Sequence, residues 1–270
     1  MEITSIGFLS ETLFQRYNGI VRDLGDCIEV RTPDNYGFWF GNYLLLEGPP
    51  DITDIEGWVT RFDSAFSDEP KVAHKCLQWP DSGRDTSAIR AEFERLGWKF
   101  EQTSVLAAPK SEAVREAPKG VGYKEIDTAG AWGKVLDHHV LTRPDGFTET
   151  AYRAFKKKRL EIFQALVAAG YGHWYGAFKG DALVADMGIF HRDGISRFQE
   201  VSTHPAHRRQ GICAALVHHV SCAEQAARPG NRMVILADHG EPAERIYKSL
   251  GYREVEQIQS VVLRPAGWNR

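Results

Sequence analysis

The stretch His204-Pro-Ala-His-Arg-Arg-Gln-Gly-Ile-Cys-Ala-Ala-Leu216 decides how the chain is read. It follows a strand-like run, Ser196-Arg-Phe-Gln-Glu-Val-Ser-Thr203, and leads into a helix predicted over 209–227. A strand, a short basic loop and a helix start together make a site for phosphate. The first amides of a helix have no intrahelical partner, and the helix dipole adds partial positive charge there. Gly211 lets backbone approach a ligand closely because it has no Cβ. Arg208 and Arg209 add full charge and donors suited to phosphate oxygens.

Outward from this stretch, the sequence bounds the class. The chain has 270 residues, 43% hydrophobic and 26% charged, which is the composition of a globular protein. A net charge of −3 gives no field favouring nucleic acid or an anionic membrane. No apolar run approaches the roughly 18 residues needed to cross a bilayer, and the N-terminus lacks a signal-peptide pattern. Cys27, Cys76, Cys213 and Cys222 form no C-x-x-C pair, so a reduced, cytoplasmic setting is expected. His204 and His207 have no third ligand at suitable spacing, so no metal is expected.

The rest of the chain alternates strand and helix patterns. In the first half, helical spacing covers 6–23, strands are expected at 27–32, 38–46, 71–79 and 98–107, and helices at 51–66 and 86–96. Thr53 and Glu56 have capping-box spacing. A polar, proline-bracketed segment, Pro109 to Gly120, separates this half from the next. The second half reads as a strand at 121–126, helices at 128–141 and 147–169, and strands at 171–178 and 182–190 joined by Lys179-Gly-Asp181. Met233-Val-Ile-Leu-Ala237 suits a buried parallel strand. Glu241 to Leu250 is a helix stopped at Gly251, and strands at 252–255 and 258–263 finish the sheet.

The two halves echo each other. Phe93-Glu-Arg-Leu-Gly-Trp-Lys-Phe100 matches Tyr247-Lys-Ser-Leu-Gly-Tyr-Arg-Glu254 in pattern, and both follow the order strand, helix, strand, helix, strand. This points to an internal duplication. They differ where chemistry would sit. The first half has Glu47-Gly-Pro-Pro-Asp51, then Asp54 and Glu56, at its helix start. Prolines offer no amide hydrogen, and the acids would repel a phosphate. It also has Phe93 where the second half has Tyr247.

The second half resembles the GCN5-related N-acetyltransferase (GNAT) family over about 120–265. Arg208-Arg-Gln-Gly-Ile-Cys213 is similar to the family's pyrophosphate signature, with Cys213 in place of the final small residue. Gly240-Glu-Pro-Ala-Glu-Arg-Ile-Tyr-Lys-Ser-Leu-Gly-Tyr252 is similar to its later motif, with Gly240 replacing asparagine and Ile246 replacing leucine. The resemblance implies an α/β (α+β layered) fold of two GNAT-like domains. Each would be a mixed, mostly antiparallel sheet with a central splayed parallel strand pair flanked by helices. Residues 1–110 would be a degenerate copy, 111–119 a linker and 120–270 the acetyltransferase domain.

The resemblance also implies acetyl-CoA as co-substrate and a small-molecule or peptide amine as acceptor. The pyrophosphate would lie on Arg208, Arg209, Gln210, Gly211, Ile212, Cys213 and Ala214. The pantetheine arm would pair with backbone of Val201, Ser202 and Thr203 like an added strand. Tyr247 would protonate the departing thiolate. Glu200 is a candidate base for the acceptor amine, with a structural ion pair as the competing reading. Asp137-His138-His139 and the run Lys156-Lys-Lys-Arg159 read as exposed helix faces. The chain would act as a monomer or homodimer, without nucleic acid or membrane. A non-catalytic acyl-CoA-binding sensor is the competing function.

Overall fold

The computed structural model describes residues 1–33, 35–108 and 116–265. Most of the predicted linker, 111–115, lies outside them. The chain divides into two compact units, Met1–Val105 with the residues from Glu256 on, and Leu106–Val255.

The first unit contains α1 (Ile6–Glu11), α2 (Gln15–Asn18), β1 (Ile20–Asp23), β2 (Ile28–Arg31), β3 (Tyr43–Leu45), α3 (Ile55–Ala65), β4 (Lys75–Pro80), α4 (Ser87–Arg95) and most of β5 (Lys99–Ala108). β2 runs antiparallel to β1 and β3, and β3 runs parallel to β4. Leu44, Leu77 and Trp79 meet Phe62, Phe66, Phe93 and Trp98 in a buried core. Two predicted elements are broken up by local hydrogen bonds. The helix expected over 6–23 becomes α1, α2 and β1. Ser10 and Thr12 hydroxyls bond the carbonyls of Gly7 and Phe8, in competition with a continuing ladder. The strand expected over 38–46 keeps only β3, preceded by a 3-10 turn at Trp39–Gly41. The Asn42 amide holds that turn by donating to the Asn35 and Phe38 carbonyls.

The second unit contains β6 (Val121–Glu125), α5 (Ala129–Leu141), α6 (Glu149–Ala168), β7 (Gly172–Lys179), β8 (Ala182–Arg192), β9 (Ile195–Thr203), α7 (Ile212–Ala227), β10 (Arg232–Asp238) and α8 (Pro242–Lys248). Strands β6 to β9 form an antiparallel meander, and β10 joins β9 in parallel. That parallel pairing covers Ile195–Arg197 against Arg232–Val234 only. Beyond it β9 continues to Thr203 and β10 to Asp238 without pairing to each other. Thr128 and Thr148 cap α5 and α6 by accepting from the Ala131 and Ala151 amides. One sheet face is packed by Phe198, Met233 and Ile235 against Ile212, Leu216 and Val220 of α7. The other carries Trp174, whose ring packs at a tilt beside Trp132 of α5 and Phe163 of α6.

The last strand, β11 (Arg253–Leu263), serves both units. Its tail pairs antiparallel with β4, from Ile258 opposite Pro80 to Leu263 opposite Lys75. Glu256 accepts from the Ser5 hydroxyl and from the Ile6 and Gly7 amides at the start of α1. The sequence places all of 120–270 in the second domain; here, among the described residues, 256–265 belong to the first unit. Conversely, Leu106 and Ala108 of β5 enter the second unit's core. The expected mixed α/β architecture is present, with a parallel strand pair in each unit. Among the described residues no helix is long and apolar enough to cross a membrane.

Candidate active site

The phosphate-type loop opens α7, which begins three residues later than predicted. A short 3-10 turn, Pro205–His207, uses the Arg208 amide on the Pro205 carbonyl. Arg209 and Gly211 then take left-handed backbone, with φ of 60° and 74°. This turns successive amides the same way before the helix starts. Among the described residues nothing accepts from the amides of Arg209, Gln210, Gly211, Ile212, Cys213 or Ala214; the first helical bond at this end is Ala215 to Gly211. Arg208, Arg209, Gln210 and Gly211 are exposed. A Cβ at Gly211 would meet nothing within 4 Å, so glycine is required for its φ rather than for space. Lys179 donates to the Gln210 side chain at 2.9 Å and brings another cation to the loop.

The first unit's counterpart is closed by its own side chains. Asp51 accepts from the Thr53 amide at 2.8 Å, and Asp54 from the Gly57 amide at 3.2 Å. The cap at α3 is therefore Asp54, not the predicted Thr53–Glu56 box. Carboxylates already occupy the place where an anion would sit.

Strand β9 carries a bulge past the end of its pairing with β10. Asp186 faces Ser202 and Gly188 faces Gln199, so Glu200 and Val201 share one partner position. Glu200 has φ of 55°, the left-handed conformation of a bulge residue. The bulge resets the alternation. Phe198 faces the α7 core, and Val201 packs against the same core. Glu200 and Ser202 face α5 and α6 instead, so Phe198 and Glu200 lie on opposite faces although two residues apart.

Glu200 meets two cations there. Lys156 Nζ donates to Oε2 at 2.7 Å and Arg159 Nε to Oε1 at 2.9 Å, while His139 Nδ1 lies 3.8 Å from Oε2. Burial opposes ionisation of Glu200. Lys156, Arg159 and His139 outweigh it and hold the carboxyl below the usual carboxylate range. A carboxylate so held is a weak proton acceptor. Of the two readings of Glu200, these contacts favour the ion-paired anchor over the base. Lys156 and Arg159 are 4% and 8% exposed, and so are not part of a solvated face.

Beside this pair lies a second buried cluster. Asp186, fully buried on β8, accepts from Trp174 Nε1 at 3.1 Å and lies 2.9 Å from His139 Nε2. Gly188 makes room for Trp174: a Cβ there would fall 2.6 Å from the indole. His138 Nε2 is 3.0 Å from the Ser202 hydroxyl and 3.7 Å from Asp186 Oδ2. Thr142 Oγ1 reaches the same hydroxyl at 3.3 Å. The Ser202 side chain is thus committed to α5, and its backbone, two residues from the His204 amide that donates to the Val184 carbonyl, faces Asp186 of β8 in the ladder. His138 and His139 are buried, contrary to the exposed face expected for them. Two signals in the sequence pointed here. Lys156 and Arg159 stand on the apolar stripe of Tyr152, Leu160 and Phe163. Asp186 interrupts an otherwise apolar strand, where a lone carboxylate needs partners.

Tyr247 of α8 is 4% exposed and packs in the α7-side core. Burial first, then the Cys213 thiol, push its phenol well above the ordinary tyrosine value. Burial likewise pushes the Cys213 thiol up to about 11. Both groups are therefore protonated at neutral pH. His239, Glu244 and Glu254 offer ligand atoms within 4.8 Å of one another. Lys248 already pairs with both of those carboxylates, so an ammonium fills the role a metal would have.

Residues 170–254 match the family model described as an acetyltransferase (GNAT) domain. No curated protein matches the chain. The fold is similar to a functionally unknown conserved protein from Staphylococcus epidermidis, with TM-score 0.72 and 12% identity, over 95% of this chain and 99% of that one. It is similar to a GCN5-related N-acetyltransferase from Kribbella flavida, with TM-score 0.67 and 17% identity, over 100% of both chains. A tandem GNAT protein from the clavulanic acid biosynthesis pathway aligns with TM-score 0.54 and 11% identity, over 76% of this chain and 68% of that one. Identities this low speak to the fold alone. The match at 170–254 covers the parallel pair β9–β10, the open amides of α7 and Tyr247 on α8. Over these residues the chain is similar to the acetyltransferase (GNAT) domain.

Proposed function

We propose that the chain transfers an acetyl group from acetyl-CoA to a primary amine of a small molecule or peptide, by direct attack with both substrates bound. The observation that carries this reading is the row of six uncommitted amides from Arg209 to Ala214, at the start of α7 just after β9. The residues present fit the co-substrate. The amides, with Arg208 and Arg209, would hold the pyrophosphate. The backbone of Val201 and Thr203, which alternates with the β8-bonded Ser202 and so faces the other edge, would hold the pantetheine arm.

When bound, acetyl-CoA supplies an activated acyl group and a thiolate leaving group. The chain supplies the proton chemistry. Tyr247, protonated and buried beside the α7 start, donates to the departing sulfur. A backbone amide at the β9 bulge stabilises charge on the carbonyl oxygen; one such donor is typically worth roughly 2.7–4 kcal/mol. Glu200 holds Lys156 and Arg159 and so fixes α6 against the bulge. We read the first unit as a degenerate copy of the domain, its helix start sealed by Asp51 and Asp54. We read the setting as cytoplasmic, in keeping with the free cysteines among the described residues.

Calorimetry with acetyl-CoA, followed by thiol release across a panel of primary amines, tests the reading. We expect binding and amine-dependent release of CoA. Tight binding with no release for any amine would overturn the enzymatic part.

A further inference from the structure

Four of the chain's ten histidines lie in a row through the second unit. Ring centroids of His139 and His138 are 5.9 Å apart, those of His138 and His204 6.2 Å, and those of His204 and His207 5.4 Å. The inner end is anchored at fully buried Asp186 through His139. The outer end, His207, sits half-buried between the exposed Ala206 and Arg208. Two of the four come from α5 and two from the turn after β9, so no periodicity within one element produces the row.

We propose that His138, His204 and His207 form a proton relay, in which His138 accepts the proton leaving the acceptor amine and His204 and His207 pass it to solvent. This rests on the acetyltransferase reading above. The reaction needs such an exit. An ammonium substrate and acetyl-CoA give an amide, CoA thiol and one net proton. The new N–C bond forms as the thioester C–S bond breaks. Of the two protons leaving nitrogen, one balances the thiolate protonated by Tyr247. The other must reach water.

The position and surroundings of His138 suit it to accept that proton. It touches Ser202, next to the Val201 and Thr203 backbone that borders the strand opening. Burial lowers its basicity, with the Asp186 carboxylate opposing and His139 and His204 adding to the effect. Its ring is therefore neutral, and able to accept, at neutral pH. The charged groups nearby are otherwise balanced, since Glu200 of β9 faces Lys156 and Arg159 of α6. Between centroids, these separations bring neighbouring ring edges close enough to pass a proton directly or through one water. His204 Nδ1 accepts from the Ala206 amide at 3.2 Å, so a proton taken up by this ring displaces that bond before the ring rotates and passes it on.

The test uses the full chain, labelled with nitrogen-15, and the variants His204→Phe and His207→Gln. The first keeps a ring and removes its nitrogens; the second changes a half-buried residue and guards against misfolding of the first. Exchange of the His138 ring N–H with water is measured by NMR without substrate. We expect it to slow in both variants while the spectrum stays native. With an amine that the wild-type chain acetylates, kcat/KM should fall by roughly a hundredfold in His204→Phe, the low end for a positioned acid–base group, and external imidazole should restore part of it. Unchanged exchange, or unchanged kcat/KM, in folded variants would overturn the relay. A wild-type chain that acetylates no amine would overturn the acetyltransferase reading instead, and exchange alone would then decide the relay.

Discussion

Lys156 Nζ stands 2.7 Å from Glu200 Oε2, with Arg159 on the other carboxylate oxygen. Both cations come from one turn of α6, and the carboxylate comes from the bulge of β9. The bulge conformation at Glu200 is thus held by a buried ion-pair triad as well as by the strand ladder.

Neutralising Glu200 leaves two buried cations facing each other. Loss of one member of a buried pair typically costs about 3–5 kcal/mol. We expect the lower end for Glu200→Gln, because the Glu200 side chain keeps 15% exposure. Urea unfolding reads this, and adding Lys156→Met should recover part of the loss. The sign with pH follows from the depressed carboxyl. The contribution is complete above the ordinary value of 4.5 and is lost as pH falls through the lower folded value. Stability of the wild type should therefore fall below about pH 4.5 more steeply than that of Glu200→Gln. Parallel curves would sink the assignment.

Gly211 offers a cleaner test of the cofactor loop. Its φ of 74° strains any L residue, at roughly 1–2 kcal/mol. Gly83 has φ of 71° and equally open surroundings, but lies in the first unit. Gly211→Ala and Gly83→Ala should lose similar stability. Only Gly211→Ala should weaken acetyl-CoA, by roughly tenfold or more, because one misplaced charged hydrogen bond is worth about 1.5–3 kcal/mol. Equal affinities in the two variants, measured by calorimetry, would count against the loop.

Much of this was legible in the sequence because it is local. A glycine after two arginines at a helix start, and a tyrosine before Leu250-Gly251-Tyr252, are read without knowing what lies across the sheet. The Glu200 pairing was not legible, because the bulge shifts its face by one residue and alternation alone cannot show a bulge. His138 and His139 sit on a helix whose buried face is set by its docking, not by its weak periodicity. The place of β11's tail beside β4 is hidden for a related reason: its six-residue register with β4 joins positions about 180 residues apart, and such pairing leaves no mark on either segment.

The Glu256 contacts make the first unit depend on the end of the chain. Glu256→Ala removes the acceptor for the Ser5 hydroxyl and two helix-start amides. A lost cap of this kind costs about 0.5–2 kcal/mol. Truncation after Val255 removes the β4 pairing as well, and should open the whole first unit. Hydrogen exchange should then rise in α1, β3 and β4. Protection that persists in β4 after truncation would refute this dependence.

Cys213 and Tyr247 separate direct transfer from transfer through an acyl-cysteine. A thiol held up to about 11 is almost wholly protonated at neutral pH, and only the thiolate attacks a thioester. Cys213→Ala should therefore keep its turnover, and initial-rate plots against both substrates should intersect rather than run parallel. Iodoacetamide at neutral pH should label exposed Cys222 and spare Cys213. Tyr247 carries the opposite expectation. Its phenol is held protonated to beyond the ordinary tyrosine range, so it can donate across the working pH range and would not itself produce an alkaline decline there. Tyr247→Phe should lower kcat by about 10²–10⁴-fold, the usual weight of a positioned acid, with Kd for acetyl-CoA little changed. A variant that loses coenzyme affinity but keeps kcat would show that Tyr247 packs the cleft and donates no proton. Parallel plots with a dead Cys213→Ala would move the chemistry to sulfur.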